Sequence, residues 1–182
     1  MFLPSFAADH WGDYSATLSA NAGPGFGWND PDMVLAGDDH YATSGGGPGQ
    51  LPLSLDQAKF QLSLWSIVAA PLIMSNDLRT VPDAYRRLLL NREMIAVDQD
   101  ATGVPGGRLT AEKNATEVWA RPLEQGRSIA VALVNKGGGE GLTDECSWNV
   151  TVGKYPDAGA AGNIECADWA SLHKVRRGVM CD

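Results

Sequence analysis

The sequence predicts an α/β unit followed by an all-β unit, with residues 1–102 in the first and residues 103–182 in the second. Three observations carry this division. Helical periodicity alternates with short apolar runs as far as Asp100. Beyond it, two strand-like runs, Glu117-Val118-Trp119-Ala120-Arg121 and Ser128-Ile129-Ala130-Val131-Ala132-Leu133-Val134-Asn135, flank the polar stretch Glu124-Gln125-Gly126-Arg127, which is a hairpin signal. Between the two regimes stands Gly103-Val104-Pro105-Gly106-Gly107, a linker by composition.

Taken in order, residues 1–21 predict one short helix ending near Asn21 and Gly23. Asp9 and His10 read as a surface pair, because neighbours in sequence point apart on a helix. Val34-Leu35-Ala36 is a short extended run. Residues 38–52 are rich in Gly, Asp and Pro and read as an inserted loop; no Lys-Ser/Thr follows Gly45-Gly46-Gly47, so it is no phosphate cradle. Ser54 and Gln57 have capping-box spacing and open a helix over residues 55–69. Apolar residues surround that helix, so it is buried on most sides and Trp65 belongs to the core. Pro71 ends it, and Leu72-Ile73-Met74-Ser75 reads as a short buried strand of a parallel sheet. Asn76 and Asp77 follow its end, where α/β barrels place their sites, although Asp77 can equally cap or pair with Arg79. A helix over residues 82–90 comes next, then an extended run Met94-Ile95-Ala96-Val97. After the hairpin, Gly137-Gly138-Gly139 marks a turn and Trp148-Asn149-Val150-Thr151-Val152 a further strand.

Composition narrows the function classes. The chain has 182 residues, 44% of them hydrophobic, enough for a core in one domain or a little more. A formal charge of −8 argues against nucleic acid, whose phosphates need clustered Lys and Arg; the one basic run, Lys174-Val175-Arg176-Arg177, reads as a solvated tail. No apolar run reaches the ~20 residues of a membrane helix. The opening Met1-Phe2-Leu3-Pro4-Ser5-Phe6 lacks the basic and apolar regions of a secretory signal. Cys146, Cys166 and Cys181 do not have zinc-site spacing, and their odd number leaves at least one unpaired in a monomer. Two sequons, Asn114-Ala115-Thr116 and Asn149-Val150-Thr151, fit a secreted or vacuolar protein.

The candidate site is Ala22-Gly23-Pro24-Gly25-Phe26-Gly27-Trp28-Asn29-Asp30-Pro31-Asp32-Met33. Pro31 pushes Asp30 toward extended backbone, and residues two apart on an extended chain share a face, so Asp30 and Asp32 could point together. An indole beside acids and an amide suits a sugar, covering its C–H face while the polar groups bond its hydroxyls. The same residues also make turns, with Asp side chains bonding their own backbone.

This stretch resembles a signature of the α-galactosidases of glycoside hydrolase family 27. Gln61-Leu62-Ser63-Leu64-Trp65-Ser66-Ile67, Ala69 to Arg79 read in sequence, Ile95-Ala96-Val97-Asp98-Gln99-Asp100 and Glu117-Val118-Trp119-Ala120-Arg121-Pro122-Leu123 resemble its later blocks in register, with Asp98 where the family has Asn. The resemblance implies the last βα units of a (β/α)8 TIM barrel followed by an antiparallel β-sandwich: residues 1–102 as an incomplete barrel and residues 103–182 as a sandwich domain. It implies retaining hydrolysis of terminal α-linked galactose in an α-galactoside oligosaccharide or glycoconjugate, with no cofactor and no metal, in a secreted, lysosomal or vacuolar protein. Retention needs two carboxyls about 5–5.5 Å apart. Neither can be placed here: no Lys-Tyr-Asp segment exists, and the acid/base would fall near Phe6. By the resemblance Asp32 and Met33 line the sugar, while Trp28 and Asp30 are structural neighbours. The alternatives are an α-N-acetylgalactosaminidase and a non-catalytic, truncated sugar-binding remnant. Two βα units do not close a barrel, so the strand at residues 72–75 is expected to lack a neighbour on at least one side.

Overall fold

The computed structural model describes residues 3–38, 52–111, 116–124, 127–135, 147–149, 163–165, 170–176 and 179–181. Four helices come first: α1 (Leu3–Ala20), α2 (Leu55–Ile67), α3 (Asp83–Leu89) and α4 (Arg92–Asp98). Seven strands follow: β1 (Gly107–Ala111), β2 (Thr116–Leu123), β3 (Ser128–Asn135), β4 (Ser147–Asn149), β5 (Asn163–Glu165), β6 (Ala170–Arg176) and β7 (Val179–Cys181). Five of them form one antiparallel sheet in the order β1-β2-β3-β6-β7, and β4 pairs with β5 separately. The hairpin forms as read, with Thr116 opposite Asn135 and Leu123 opposite Ser128.

Helix α2 is the hub. Ser54 accepts from the Gln57 N–H while the Gln57 side chain accepts from the Ser54 N–H, the expected capping box. Residues 60–67 are all buried, which explains the apolar residues around its whole circumference. Phe60, Leu64, Trp65 and Ile67 share one core with Val34, Met94, Val97, Trp119, Leu123 and Ala132, so the core runs from the helices into the sheet without a break.

Several expectations are corrected. Residues 94–97 are helical, inside α4, because the Asn91 side chain caps that helix by accepting from the Glu93 and Met94 N–H groups. Four apolar residues in a row carry no period that separates strand from buried helix. The stretch at residues 72–75 is neither a full strand nor buried. It makes one parallel bridge, Met74 with Val34, on one flank among the described residues, and Ile73 and Met74 are 51% and 45% exposed. Helix α2 stops at Ile67 instead of Ala69, since Ala69 takes φ 55°, outside helical space. The first helix is not short but 18 residues long. The glycine linker ends one residue early, with Gly107 already in β1. Residues 174–176 belong to β6, paired with β3 and β7, and are no tail.

Residues 39–51 of the inserted loop read at 38–52, the Gly137-Gly138-Gly139 turn, Cys146, Cys166 and the sequon residue Asn114 lie outside the described residues, whereas Asn149 stands in β4 and Cys181 in β7. No helix among the described residues is long and apolar enough to cross a membrane.

Candidate functional site

The glycine-rich stretch folds back on itself. Gly23 and Gly27 each donate to the other's carbonyl, at 2.7 and 3.1 Å. Gly23 takes φ 116°, and a Cβ there would stand 3.3 Å from the Gly103 carbonyl oxygen, so both the turn and the close approach require glycine. Trp28 lies over the same linker and donates its indole N–H to the Gly103 oxygen at 3.1 Å. Asn29 donates to the Leu18 carbonyl of α1. Trp28 therefore anchors the loop through its polar edge while its ring remains half exposed.

Asp30 and Asp32 do not share an extended face. Asp32 takes φ 84°, the left-handed region that a non-glycine residue enters only under constraint. Asp30 supplies part of that constraint by accepting from the Asp32 N–H at 2.9 Å, and Asp32 in turn accepts from the Met33 N–H at 2.8 Å. These are the local Asx bonds of the turn alternative. Both acids are exposed, and Met33 is exposed beside them.

The remaining constraint comes from α2. Trp65 donates its indole N–H to the Asp32 carbonyl at 2.8 Å. Gln61, one turn earlier on the same face, donates to the Met33 carbonyl at 3.1 Å and accepts from the Leu35 N–H at 2.9 Å. The Gln61 amide thus does for residues 33–35 what a neighbouring strand would do. Sequence reasoning assigned Trp65 to the core, where it is, but missed this clamp. The available signal was a polar amide at position 61 within an apolar helix, since a buried amide must find partners.

On the other flank Val34 donates to the Ile73 carbonyl and accepts from the Ser75 N–H, the parallel pattern. The Ser75 hydroxyl donates to the Asp38 carboxylate at 2.7 Å, and Asn76 donates to the Ala36 carbonyl at 2.7 Å. Asp77 turns away to an ion pair with Arg79. The Arg79 side chain, helped by the Arg79 backbone N–H, holds the Asp77 carboxyl down at about 2. That is the pairing alternative, and it leaves Asp77 a permanent anion at neutral pH. Asp9 and His10 stand in α1, with side chains outside the described residues. Among the described residues no group of three or more His, Cys, Asp or Glu could hold a metal ion.

The architecture defines the class: a short α/β unit with one parallel step, leading directly into an antiparallel sheet. Direct comparison defines the family. Residues 7–100 match the family model described as alpha galactosidase A (Melibiase_2), and the chain belongs to that family, glycoside hydrolase family 27. It is 43% identical over 114 residues to the α-N-acetylgalactosaminidase of Gallus gallus, covering 63% of this chain and 25% of that protein. It is 44% identical over 115 residues to the α-galactosidase A of Homo sapiens, covering 63% of this chain and 23% of that protein. Its fold superposes on the α-galactosidase of Saccharomyces cerevisiae solved with raffinose, with a TM-score of 0.59 at 26% identity, over 78% of this chain and 29% of that one. The chain spans about a quarter of the length of the curated relatives it matches.

Proposed function

We propose that the chain is the C-terminal portion of an α-galactosidase-type retaining glycoside hydrolase and that Asp32 and Met33 form the rim of its galactose pocket. In this reading residues 1–102 are the closing part of a (β/α)8 barrel, and residues 103–182 are the β-sandwich domain. The observation that carries it is the state of Asp32. An exposed acid is held in left-handed backbone by Asp30, Trp65 and Gln61 together. Backbone strain that several partners over-determine concentrates at ligand clamps. Such a clamp presents a carboxylate to sugar hydroxyls without an ordering cost at binding. Trp28 and Asp30 support the rim rather than touch sugar.

The ligand is an α-galactoside oligosaccharide or glycoconjugate, and the protein works in a secreted, lysosomal or vacuolar setting. The second reading, α-N-acetylgalactosaminidase, is favoured by the similarity to the chicken protein of that name. In both readings the nucleophile and the acid/base belong to strands outside this sequence, so these 182 residues alone are inactive.

Amide NMR of the purified chain titrated with galactose and with N-acetylgalactosamine tests the rim. The expected result is weak binding that moves the Asp32 and Met33 amides and is lost in Asp32→Ala. Sugar that moves no resonance of residues 28–35 in a folded sample overturns the rim. A chromogenic α-galactoside gives no turnover; hydrolysis with retention would overturn the assignment of both catalytic carboxyls elsewhere.

A further inference from the structure

Outside the loop, a second buried polar cluster centres on Arg121. This residue sits on β2 with 0% exposure. Its Nε donates to the Val104 carbonyl, and its Nη1 donates to the carbonyls of Ser66, Val97 and Asp98 at 2.7–2.9 Å. Ser66 lies in the last turn of α2, and Val97 and Asp98 end α4. One guanidinium thus holds two helix C-termini, each the negative end of a helix dipole, and the linker against the sheet.

The clasp is incomplete. Arg121 Nη2, Asp98 Oδ1 and Ser66 Oγ are buried without a hydrogen-bond partner among the described residues, and all three belong to residues that meet at this guanidinium. Asp98 is 6% exposed, and its other oxygen accepts from Gln99. Among the described residues the charged groups acting here are Arg121 and Asp100; the latter accepts from the Thr102 and Glu124 N–H groups. Helix α2 and the linker bring Ser66, Ile67 and Val104, none of them ionisable. A buried carboxylate with an unfilled acceptor is costly, and the neutral acid is less so.

We propose that Asp98 is a proton-operated latch on the helix–sheet junction, closed when Asp98 is neutral and loosened when it ionises. Burial pushes the Asp98 carboxyl up to about 6, against the opposing pull of Gln99 and of the Arg121 charge. Because the folded value lies above the unfolded one, the latch contributes fully below about pH 4. Its contribution is lost as pH rises through about 6. Asn in this position would be a neutral, isosteric copy of the closed state.

Urea denaturation of the full chain from pH 4 to pH 8 tests this, with Asp98→Asn alongside. The expected result is a wild-type unfolding constant that rises between pH 4 and pH 7 by about 50-fold more than that of the variant. Parallel pH profiles would overturn the latch. Should the variant fail to fold, the wild-type Asp98 carboxyl is followed directly by carbon-13 NMR. A midpoint near 6 supports the proposal, and one near 4 overturns it.

Discussion

At the residue scale, Asp32 joins stability to the proposed site. Left-handed backbone costs a residue with a Cβ about 1–2 kcal/mol, and Asp offsets part of this by local hydrogen bonding. Here the bond is to the Met33 N–H. Alanine keeps the Cβ and loses that bond, whereas glycine removes the steric conflict. Asp32→Ala is therefore expected to destabilise the chain by about 1 kcal/mol, and Asp32→Gly to leave it within about 0.5 kcal/mol. Both are expected to lose the sugar response. Urea midpoints read the first effect and galactose titration the second, so a loss of binding in Asp32→Gly cannot be ascribed to unfolding.

At the element scale, α1 shows a packing requirement overriding intrinsic propensity. Gly12 stands in the middle of this helix, where alanine is ordinarily better by about 1 kcal/mol. A Cβ on Gly12, however, would overlap the guanidinium of Arg108. That group is fixed between Asp13 at 2.6 Å and Glu117 at 2.9 Å, and Glu117 is 2% exposed and also accepts from the Trp119 indole. Displacing Arg108 breaks a pair with a buried partner, which costs more than the propensity gain. Gly12→Ala is expected to destabilise by about 1–2 kcal/mol, seen as a lower urea midpoint. A higher midpoint would show that Arg108 swings aside freely.

At the scale of the whole molecule, the two flanks of the parallel step are unequal. The Gln61 amide closes the flank at residues 33–35, whereas Met74 makes no backbone hydrogen bond among the described residues and both Ile73 and Met74 are half exposed. An apolar, unpaired edge promotes association, and a charge on it opposes association. Ile73→Lys is expected to reduce light scattering of concentrated chain while leaving the urea midpoint within about 0.5 kcal/mol, as for exposed substitutions generally. Unchanged scattering would place self-association elsewhere.

The order of helical and strand regimes, the capped helix α2, the hairpin of β2 and β3, and the family resemblance were all readable from residues 54–67, 117–135 and 22–33, because caps, periodicity and turn chemistry act between near neighbours. Whether residues 94–97 curl or extend was decided by the Asn91 cap and by burial of Met94 and Val97, and whether residues 72–75 form a buried strand was decided by how many neighbours arrived. Only the assembled chain brings Gln61 and Trp65 onto the loop that holds Asp32, and Arg121 onto two helix ends. Those partners lie 23 to 55 residues apart in the sequence. A buried polar group announces that it needs a partner, but which one it receives is set by packing at a distance no local pattern encodes.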